Sequence, residues 1–369
     1  LKHFRKFLMK IAIVGAGNAG CITALHFHKY LKQDKIVDDY EIDIYHSPDK
    51  HPIEKVGQGT IPPIAELLSS SLGNHWYNDT TDSTFKTGVL YEGWGNTSDK
   101  FFHAFMMDKM SIHFVPNKLS KTVLKSGYFN VIEKTIKEPE KEIDADVIFD
   151  CRGRHNRDKS NYDKLINPLN SVLLSKKYER DVDLIYTRCV ATPNGWTFVI
   201  PNKDSVSYGY LYNSEITTRE DAIDDFTSRF NLDYIIDSFK FENYMAKNMF
   251  VGERTVLQGN MYGFLEPLEA TSLGIYLEVC RQAWDYIFDI KSSVYCNHKM
   301  RTLMKETETF LLWLYQNGSK YDTPFWTHAK SLPFNPDARF YDMCNDSLTE
   351  DVYGGQWPKY SFDIFKKYF

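Results

Sequence analysis

Three glycines near the start of the chain have the spacing of a phosphate-binding turn. They occur in Gly15-Ala16-Gly17-Asn18-Ala19-Gly20, directly after the apolar run 11–14 and before apolar residues at helical spacing. Such glycines permit a tight turn, close approach of the backbone to a pyrophosphate and close packing of helix on strand. The N-terminus of the following helix would then face the phosphates. A plain glycine turn is the alternative, but we predict a dinucleotide site at Gly15, Gly17, Ala19 and Gly20.

The recognition of ribose in this site is not readable from the sequence. A second short strand, predicted over 40–45, follows the glycine turn, but its acidic residues lie inside it and not at its end. His46 is one candidate for the contact. Further along the chain, Asp150-Cys151-x-Gly153 and Gly259-Asn260 resemble the two late motifs of FAD enzymes, in which a Gly-Asp pair approaches the flavin. Asn260 stands where that Asp usually is, so it can form a hydrogen bond but lacks the charge.

The other predicted elements place these motifs in a mixed α/β fold. Strand patterns occur at 84–94, 144–151 and 183–214, and helical patterns occur at 62–73 and 217–230. From residue 274 onward the pattern is helical, and 20 aromatic residues lie after residue 280. We therefore predict the α/β class. The core would be a Rossmann-like FAD-binding βαβ unit of the flavin monooxygenase type, with an inserted antiparallel sheet and a C-terminal helical subdomain.

The predicted domain boundaries follow these changes in pattern. Residues 1–8 precede the first methionine, and we expect them to be an upstream or expression-derived remnant. The rest is predicted as a discontinuous FAD-binding module (9–280), made of 9–155 and 250–280 around a sheet-rich substrate insertion (156–249), and an aromatic-rich helical subdomain that covers the substrate (281–369).

Composition argues against several other classes of protein. The net charge of −5 provides no basic field for nucleic acid, and no apolar run approaches the roughly 18 residues of a membrane span. The six cysteines are scattered without metal-ligand spacing, so we expect no metal and a reduced, cytoplasmic location. The 25 Phe, 24 Tyr and 7 Trp suit either a large core or a pocket for a flat ligand. Homo-oligomerisation stays open.

Four further stretches narrow the family. They are Val56-Gly57-Gln58-Gly59-Thr60-Ile61-Pro62, Phe85-Lys86-Thr87-Gly88, Gly195-Trp196-Thr197-Phe198-Val199-Ile200-Pro201 and Phe264-Leu265-Glu266-Pro267-Leu268-Glu269-Ala270-Thr271-Ser272. With the N-terminal glycines they resemble, in the same order, the motifs of flavin-dependent halogenases of the tryptophan-halogenase family. Phe198 replaces the second Trp of that family's Gly-Trp-x-Trp-x-Ile-Pro pattern, and Ala270 replaces the Ser of its Pro-Leu-Glu-Ser-Thr pattern.

The resemblance implies a reaction. FADH2, supplied by a separate flavin reductase, and O2 would oxidise chloride, bromide or iodide to hypohalous acid. That acid would be relayed through Lys86 to a small aromatic substrate, such as an indole or a phenol, for electrophilic halogenation. Glu269 would stabilise the cationic intermediate and accept its proton. Glu266, three residues earlier, is the alternative carboxylate and would otherwise be structural.

The resemblance also implies supporting roles. Hydroxyl and backbone N–H groups at a helix start can hold an anion, and the halide would bind there, at Thr271 and Ser272. A strap between flavin and lysine would contact the cofactor through Val56, Gly57 and Gly59. Leu273, beside the halide, would also contact the cofactor. A barrier between flavin and substrate would consist of Trp196, Phe198 and Pro201.

Two other functions stay open at this point. The same fold would serve an FAD-dependent monooxygenase or oxidoreductase, which forms hydroxylated product without halide. The second alternative is a non-catalytic nucleotide-binding protein whose aromatic C-terminal region is an interaction surface. A lysine in a strand and carboxylates or hydroxyls at a helix start also occur for structural reasons alone. The sequence therefore does not decide between these functions.

Overall fold

Two large sheets and a helical region share an apolar core in the computed structural model. The structure describes residues 8–48, 55–73, 78–95, 98–106, 109–154, 157–178, 185–345 and 352–369. Buried apolar side chains from the first strand through the last helix belong to one contact cluster. None of the helices in these ranges combines the length and the apolar character that crossing a membrane requires.

The first sheet carries the glycine turn and is parallel except at one edge. In spatial order its strands are β17 (Phe250–Val251), β18 (Thr255–Leu257), β9 (Val147–Asp150), β1 (Met9–Val14), β2 (Tyr40–His46) and β8 (Asn130–Glu133). β1 pairs in parallel with both β2 and β9. Helix α1 (Asn18–Gln33) connects β1 to β2, which gives the predicted βαβ unit.

The second sheet has seven strands and is antiparallel except where β12 pairs with β5. In spatial order its strands are β15 (Asp237–Lys240), β11 (Ser171–Lys177), β14 (Val206–Tyr212), β13 (Gly195–Pro201), β12 (Thr187–Thr192), β5 (Gly88–Glu92) and β6 (Lys100–Ala104). Successive side chains of a strand point to opposite faces. Thr187 and Cys189 therefore share one face, and Arg188 and Val190 share the other.

Smaller sheets and further helices surround these two sheets. The small sheets consist of β3 (Gln58–Gly59), β7 (Ser111–Phe114) and β4 (Thr84–Lys86); of β10 (Tyr162–Lys164), β16 (Tyr244–Ala246) and β19 (Gly263–Phe264); and of β20 (Val352–Tyr353) and β21 (Trp357–Pro358). The further helices are α2 (Pro62–Leu72), α3 (Pro116–Leu124), α4 (Pro139–Glu142), α5 (Arg219–Phe230), α6 (Thr271–Ile287), α7 (Ser293–Asn317), α8 (Pro324–Ser331), α9 (Ala338–Cys344) and α10 (Lys359–Tyr368).

The predicted fold class is confirmed: the chain is α/β, with a βαβ core, an antiparallel sheet and a C-terminal helical region. One element prediction was wrong, because the strand expected over 84–94 is two strands, β4 and β5. They separate at Thr87, since β4 pairs with β7 while β5 joins the seven-stranded sheet. Residues 1–7 and the predicted strand residues 183 and 184 lie outside the described residues.

The division into domains stays a prediction. The seven-stranded sheet takes β5 and β6 from within 9–155 and its other strands from 171–240. The aromatic residues after residue 280 pack on this sheet, since Phe365 contacts the ring of Tyr91 with centroids 5.3 Å apart. Trp357 stacks on Phe310 at 3.9 Å. Phe365 and Tyr368 therefore share a core with the sheet that precedes them.

Gly20→Ala tests the close packing of the glycine turn. A Cβ at Gly20 would lie 1.8 Å from the Gly15 carbonyl oxygen, whereas one at Gly17 would meet nothing within 4 Å. We expect Gly20→Ala to lower the free energy of unfolding by about 1–3 kcal/mol, and the control Gly17→Ala to lower it by less than about 1 kcal/mol. Denaturant unfolding of the protein without added flavin measures both. Equal losses in the two variants would contradict the packing described here.

Candidate active site

Lys86 is a buried amine at the end of β4, with 2% of its surface exposed. Its Nζ donates a hydrogen bond to the Thr60 carbonyl oxygen at 2.9 Å and lies 5.3 Å from the centroid of the Phe105 ring. Burial lowers the pKa of Lys86 to about 8, although the negative charge of Glu269 acts in the opposite direction. Burial also lowers the pKa of His113 well below its usual range, so this neighbour is uncharged.

Glu269 lies in a backbone turn that is costly for its residue type. It has φ 63°, and Ala270 after it has φ 58°. Two consecutive residues with a Cβ in the left-handed region cost of the order of 1–3 kcal/mol each, and the surrounding structure must hold them there. The turn follows Leu268 and leads directly into α6, which begins at Thr271, and it places Glu269 on the same cavity as Lys86.

The Glu269 carboxylate is buried among polar partners from distant parts of the chain. Tyr91 Oη donates to its Oε1 at 2.5 Å, and Trp357 Nε1 donates to its Oε2 at 3.3 Å. His103 Nδ1 lies 3.0 Å from the same Oε2. Burial raises the pKa of Glu269, but His103, Tyr91 and Lys86 together outweigh this effect and bring it to about 2. The carboxylate is therefore ionised at neutral pH.

Glu266 has a different environment, although it is only three residues away. Its Oε2 accepts hydrogen bonds from Trp196 Nε1 at 3.0 Å and from Tyr315 Oη at 2.7 Å. Burial raises the pKa of Glu266 to about 7, which these two donors only partly offset. Glu266 thus fixes the Trp196 indole to α7, while the Lys86 pKa responds to Glu269 and not to Glu266. This environment fits a structural role for Glu266, which is the alternative to a catalytic role.

A narrow cavity joins the predicted residues of the lysine, barrier and halide sites. It has a volume of about 60 Å³. The expected site residues that line it are Gly57, Gly59, Lys86, Trp196, Phe198, Glu269, Ser272 and Leu273. A single water needs about 10–15 Å³ of such space, and an engineered cavity that binds benzene has about 150 Å³, so this space suits a few water-sized molecules. The amine of Lys86, the carboxylate of Glu269 and the start of α6 therefore border one small shared space.

Three expected residues lie beside the cavity instead of lining it. Val56 is buried at the start of the strap, and the Pro201 carbonyl oxygen accepts a hydrogen bond from Thr84 Oγ1 at 2.7 Å. The Thr271 hydroxyl donates to the Glu266 carbonyl oxygen at 3.1 Å. The groups beside the cavity that could hold an anion are Ser272 and the first backbone N–H groups of α6, which have no intrahelical acceptor.

The strap passes beside the lysine, and its closest packing is at Gly57, against Asn202 at the end of β13. A Cβ at Gly59 would stand 3.4 Å from Lys86 Nζ and 3.0 Å from Thr187 Oγ1, which also lines the cavity. At Gly57 it would meet the Asn202 side chain at 2.1 Å. The Gly57 backbone N–H donates to Ser207 Oγ at 2.9 Å. The strap is thereby tied to the seven-stranded sheet at one end and to the lysine at the other.

The expected dinucleotide residues form a separate group at the carboxyl end of β1. Gly15 has φ 114°, and Gly259, with φ 62°, packs so closely that its Cβ would lie 2.4 Å from Ala19 Cβ. The open space beside Gly17, at the N-terminus of α1, leaves room for a phosphate. Asn260 Oδ1 accepts a hydrogen bond from Tyr276 Oη at 3.2 Å. These residues fit a dinucleotide.

The surroundings of β2 show why this strand offers no acidic side chain to the ribose. Asp43 accepts a hydrogen bond from Asn130 Nδ2 of β8 at 3.0 Å, so its carboxylate is engaged inside the sheet. His46, the last residue of β2, lies opposite Glu133 of β8. β2 therefore ends at His46 and not at an acidic residue.

Sequence reasoning missed several residues of the site. Thr187 and Cys189 line the cavity, and their alternation along β12 is the signal that could have identified them. The partners of the two carboxylates, which are Tyr91, His103, Tyr315 and Trp357, carry no local signal. They reach Glu266 and Glu269 only through the tertiary packing of the C-terminal helices on the sheet.

Comparison with known proteins places the chain in a family. The sequence model described as "Tryptophan halogenase" matches residues 10–118 and 115–368, which is nearly the whole chain. The chain belongs to the tryptophan halogenase family. This membership confirms the resemblance that the five sequence motifs indicate.

The curated relatives of this chain are distant from it in sequence. It is 24% identical over 251 residues to tryptophan 7-halogenase RebH of Lentzea aerocolonigenes. This match covers 63% of this chain and 46% of RebH. It is 23% identical over 255 residues to tryptophan 7-halogenase KtzQ of Kutzneria sp. (strain 744), with the same two shares. The chain thus spans about half the length of the curated relatives it matches.

Solved structures of the family share the fold over most of the chain. The tryptophan halogenase of Shewanella frigidimarina has a TM-score of 0.79 at 17% identity and covers 97% of this chain and 88% of its own. The flavin-dependent halogenase BrvH of Brevundimonas sp. BAL3 has a TM-score of 0.74 at 17% identity and covers 94% and 85%. At such identity the likeness establishes the fold, and the roles of individual residues rest on their own geometry.

Glu266→Gln tests the environment of the buried carboxyl. The pKa of Glu266 rises from 4.5 to about 7 on burial. Its contribution to stability is therefore complete below about pH 4.5 and is lost as pH rises through about 7. Because of this one group, the free energy of unfolding is about 3 kcal/mol higher at low pH than at high pH. Glutamine keeps an oxygen for Trp196 and Tyr315 but does not ionise.

Denaturant unfolding between pH 5 and pH 8 measures this difference. We expect the free energy of unfolding of the wild type to fall with pH relative to that of the Glu266→Gln variant. Parallel pH profiles for the two proteins would show that Glu266 does not titrate in this window.

Proposed function

We propose that this chain is an FADH2-dependent halogenase that transfers an electrophilic halogen to a small aromatic substrate by way of Lys86. The observation that carries the proposal is the common cavity of an amine, a carboxylate, a glycine strap and a helix N-terminus. Lys86, Glu269, Gly59 and Ser272 come from four different elements and line the same 60 Å³ space. Packing alone does not require a buried amine and a buried carboxylate at one small cavity.

The cofactor would be held by the glycine turn and its neighbours. Gly15, Gly17, Ala19 and Gly20 would approach the pyrophosphate at the start of α1, and Gly259 with Asn260 would approach the flavin side. Reduced FAD, with O2, would supply the oxidising power that converts a halide to hypohalous acid. The strap residues 56–59 would lie between this cofactor and the lysine.

The halide would bind at the N-terminus of α6. Ser272 and Leu273 line the cavity there, and the first backbone N–H groups of the helix provide partial positive charge. Thr271 would support this site by fixing the turn through its bond to Glu266. Trp196 and Phe198 narrow the passage and would exclude the aromatic substrate from the flavin side, with Pro201 ending their strand.

Lys86 would receive the halogen at the opposite end of the passage. A lysine with a pKa of about 8 is partly neutral at physiological pH, so its nitrogen has a lone pair available to hypohalous acid. Transfer of the halogen to that nitrogen would release water. The protonated fraction could instead donate a hydrogen bond to the hypohalous acid and polarise it. Burial supports both roles because it keeps bulk water away from the oxidant.

Glu269 would act on the aromatic substrate mainly by its charge. With a pKa of about 2 it is a weak base, but a ring that has received a halogen cation is a strong acid and needs only a weak base to lose its proton. The fixed negative charge beside Lys86 would stabilise the cationic ring in a dry environment. We propose an electron-rich indole-like or phenol-like compound as the substrate class.

The other partners follow from the same proposal. A separate flavin reductase would supply FADH2. All six cysteines are free in the structure, which supports a reducing, cytoplasmic location.

Lys86→Met tests the relay, because methionine has similar length but no amine. Protein with FAD, a flavin reductase, NADH and each halide in turn is incubated with indoles, phenols and anilines, and halogenated products are measured by mass spectrometry. We expect the wild type to form halide-dependent products and the Lys86→Met variant to lose at least about 100-fold in rate, since its relay atom is gone. FAD binding should be unchanged.

Lys176→Met, a half-buried strand lysine away from the cavity, is the matched control and should keep its activity. Halogenated product from the Lys86→Met variant at the wild-type rate would refute the relay. Oxygenated product that forms equally well without halide would favour a monooxygenase instead.

A further inference from the structure

A second, larger cleft lies on the face of the seven-stranded sheet that points away from Lys86. It has a volume of about 740 Å³, which is within the range of small-molecule sites. Arg188 and Val190 of β12 line it, whereas their neighbours Thr187 and Cys189 line the cavity of the candidate active site. The two spaces are therefore separated by the thickness of one sheet.

The charge of this cleft is opposite to that of the whole chain. Five basic side chains line it, from five separate elements or loops, against two acidic ones, Glu92 and Asp99. The basic residues are Lys100, Lys177, Arg188, Arg229 and Lys320. The chain as a whole has a net charge of −5, so the cleft is a local concentration of positive charge. Such a concave basic surface attracts anions.

Two of the basic side chains form ion pairs with carboxylates, and the other three form none with the carboxylates of the described residues. Arg188 is paired with Glu92 through Nε–Oε1 at 2.5 Å and Nη2–Oε2 at 3.1 Å, and Arg229 is paired with Asp225. Lys100, Lys177 and Lys320 form no ion pair with a carboxylate of the described residues. The arginines thus form a fixed framework, and the lysine ammonium groups remain for a ligand.

Aromatic rings line the cleft together with these cations. Tyr208, Phe230 and Tyr321 contribute to its wall. Lys320 Nζ lies 5.5 Å from the centroid of the Tyr321 ring, and Lys177 Nζ lies 6.0 Å from that of Tyr208. Arg229 Nη1 donates to Tyr321 Oη at 3.2 Å, which orients that ring. A flat molecule can pack on these rings while its anionic group reaches the lysines.

We propose that this cleft is a binding site for a flat anionic ligand, an aromatic or heteroaromatic ring that bears a carboxylate or a phosphate. An aromatic acid and a nucleotide share this chemistry. The rings would bind the planar part, and Lys177 and Lys320, each beside one of these rings, would bind the anionic group. The site is distinct from the glycine turn, since none of its lining residues belongs to that turn.

Isothermal titration calorimetry on protein saturated with FAD tests the proposal, because the dinucleotide site is then filled. The probes are adenosine monophosphate, benzoate, inorganic phosphate and benzyl alcohol. We expect at least one of the two flat anions to bind more tightly than both inorganic phosphate and benzyl alcohol. Which of them binds distinguishes a nucleotide site from one for aromatic acids. Binding should weaken as salt concentration rises.

The double variant Lys177→Ala/Lys320→Ala should weaken this binding at least about tenfold, as expected for the loss of charge-assisted hydrogen bonds. Lys299→Ala, an exposed lysine on α7, is the matched control and should bind as the wild type does. The proposal is overturned if neither flat anion binds, if inorganic phosphate binds equally well, or if the double variant binds as tightly as the Lys299→Ala control.

Discussion

The burial of an amine beside an ionised carboxylate is the constraint on which the rest of this structure depends. Neither Lys86 nor Glu269 could be buried alone in its charged form without a large desolvation cost. Glu269 is ionised because His103, Tyr91 and Lys86 together outweigh the effect of burial on its pKa. Lys86 keeps part of its proton affinity because Glu269 is near. The site thus holds a stable anion and a lysine that can lose its proton near neutral pH.

The seven-stranded sheet makes this arrangement feasible by separating the narrow cavity from the basic cleft. One face carries Cys189, Trp196 and Phe198 toward the narrow cavity. The other face carries Arg188 and Tyr208 toward the basic cleft. The C-terminal helices close the first face, and α7 brings Tyr315 to Glu266. Two carboxylates three residues apart consequently experience different surroundings, and their pKa values move in opposite directions.

The sequence was sufficient to predict the fold class, and its contiguous motifs supplied the candidate site residues. It predicted the βαβ unit, because glycine spacing and apolar periodicity are local, and it selected Lys86 and Glu269 by their motifs. It could not predict the break at Thr87, which depends on which sheet each half of the strand joins. Nor could it predict the partners of Glu269, since Tyr91 is 178 residues away in the chain. The left-handed turn at Glu269 and Ala270 contradicts local propensity and exists only because packing enforces it.

The most direct test of this account is the pKa of Lys86 itself, measured by NMR titration of protein labelled at lysine ¹³Cε, with Lys86→Met to assign the resonance. The account predicts a midpoint near pH 8 in the wild type. In a Glu269→Gln variant the midpoint should be lower, because the negative charge that favours the ammonium form is gone. A midpoint near the ordinary value of 10.5 in the wild type, or one that does not move in the variant, would contradict the central claim.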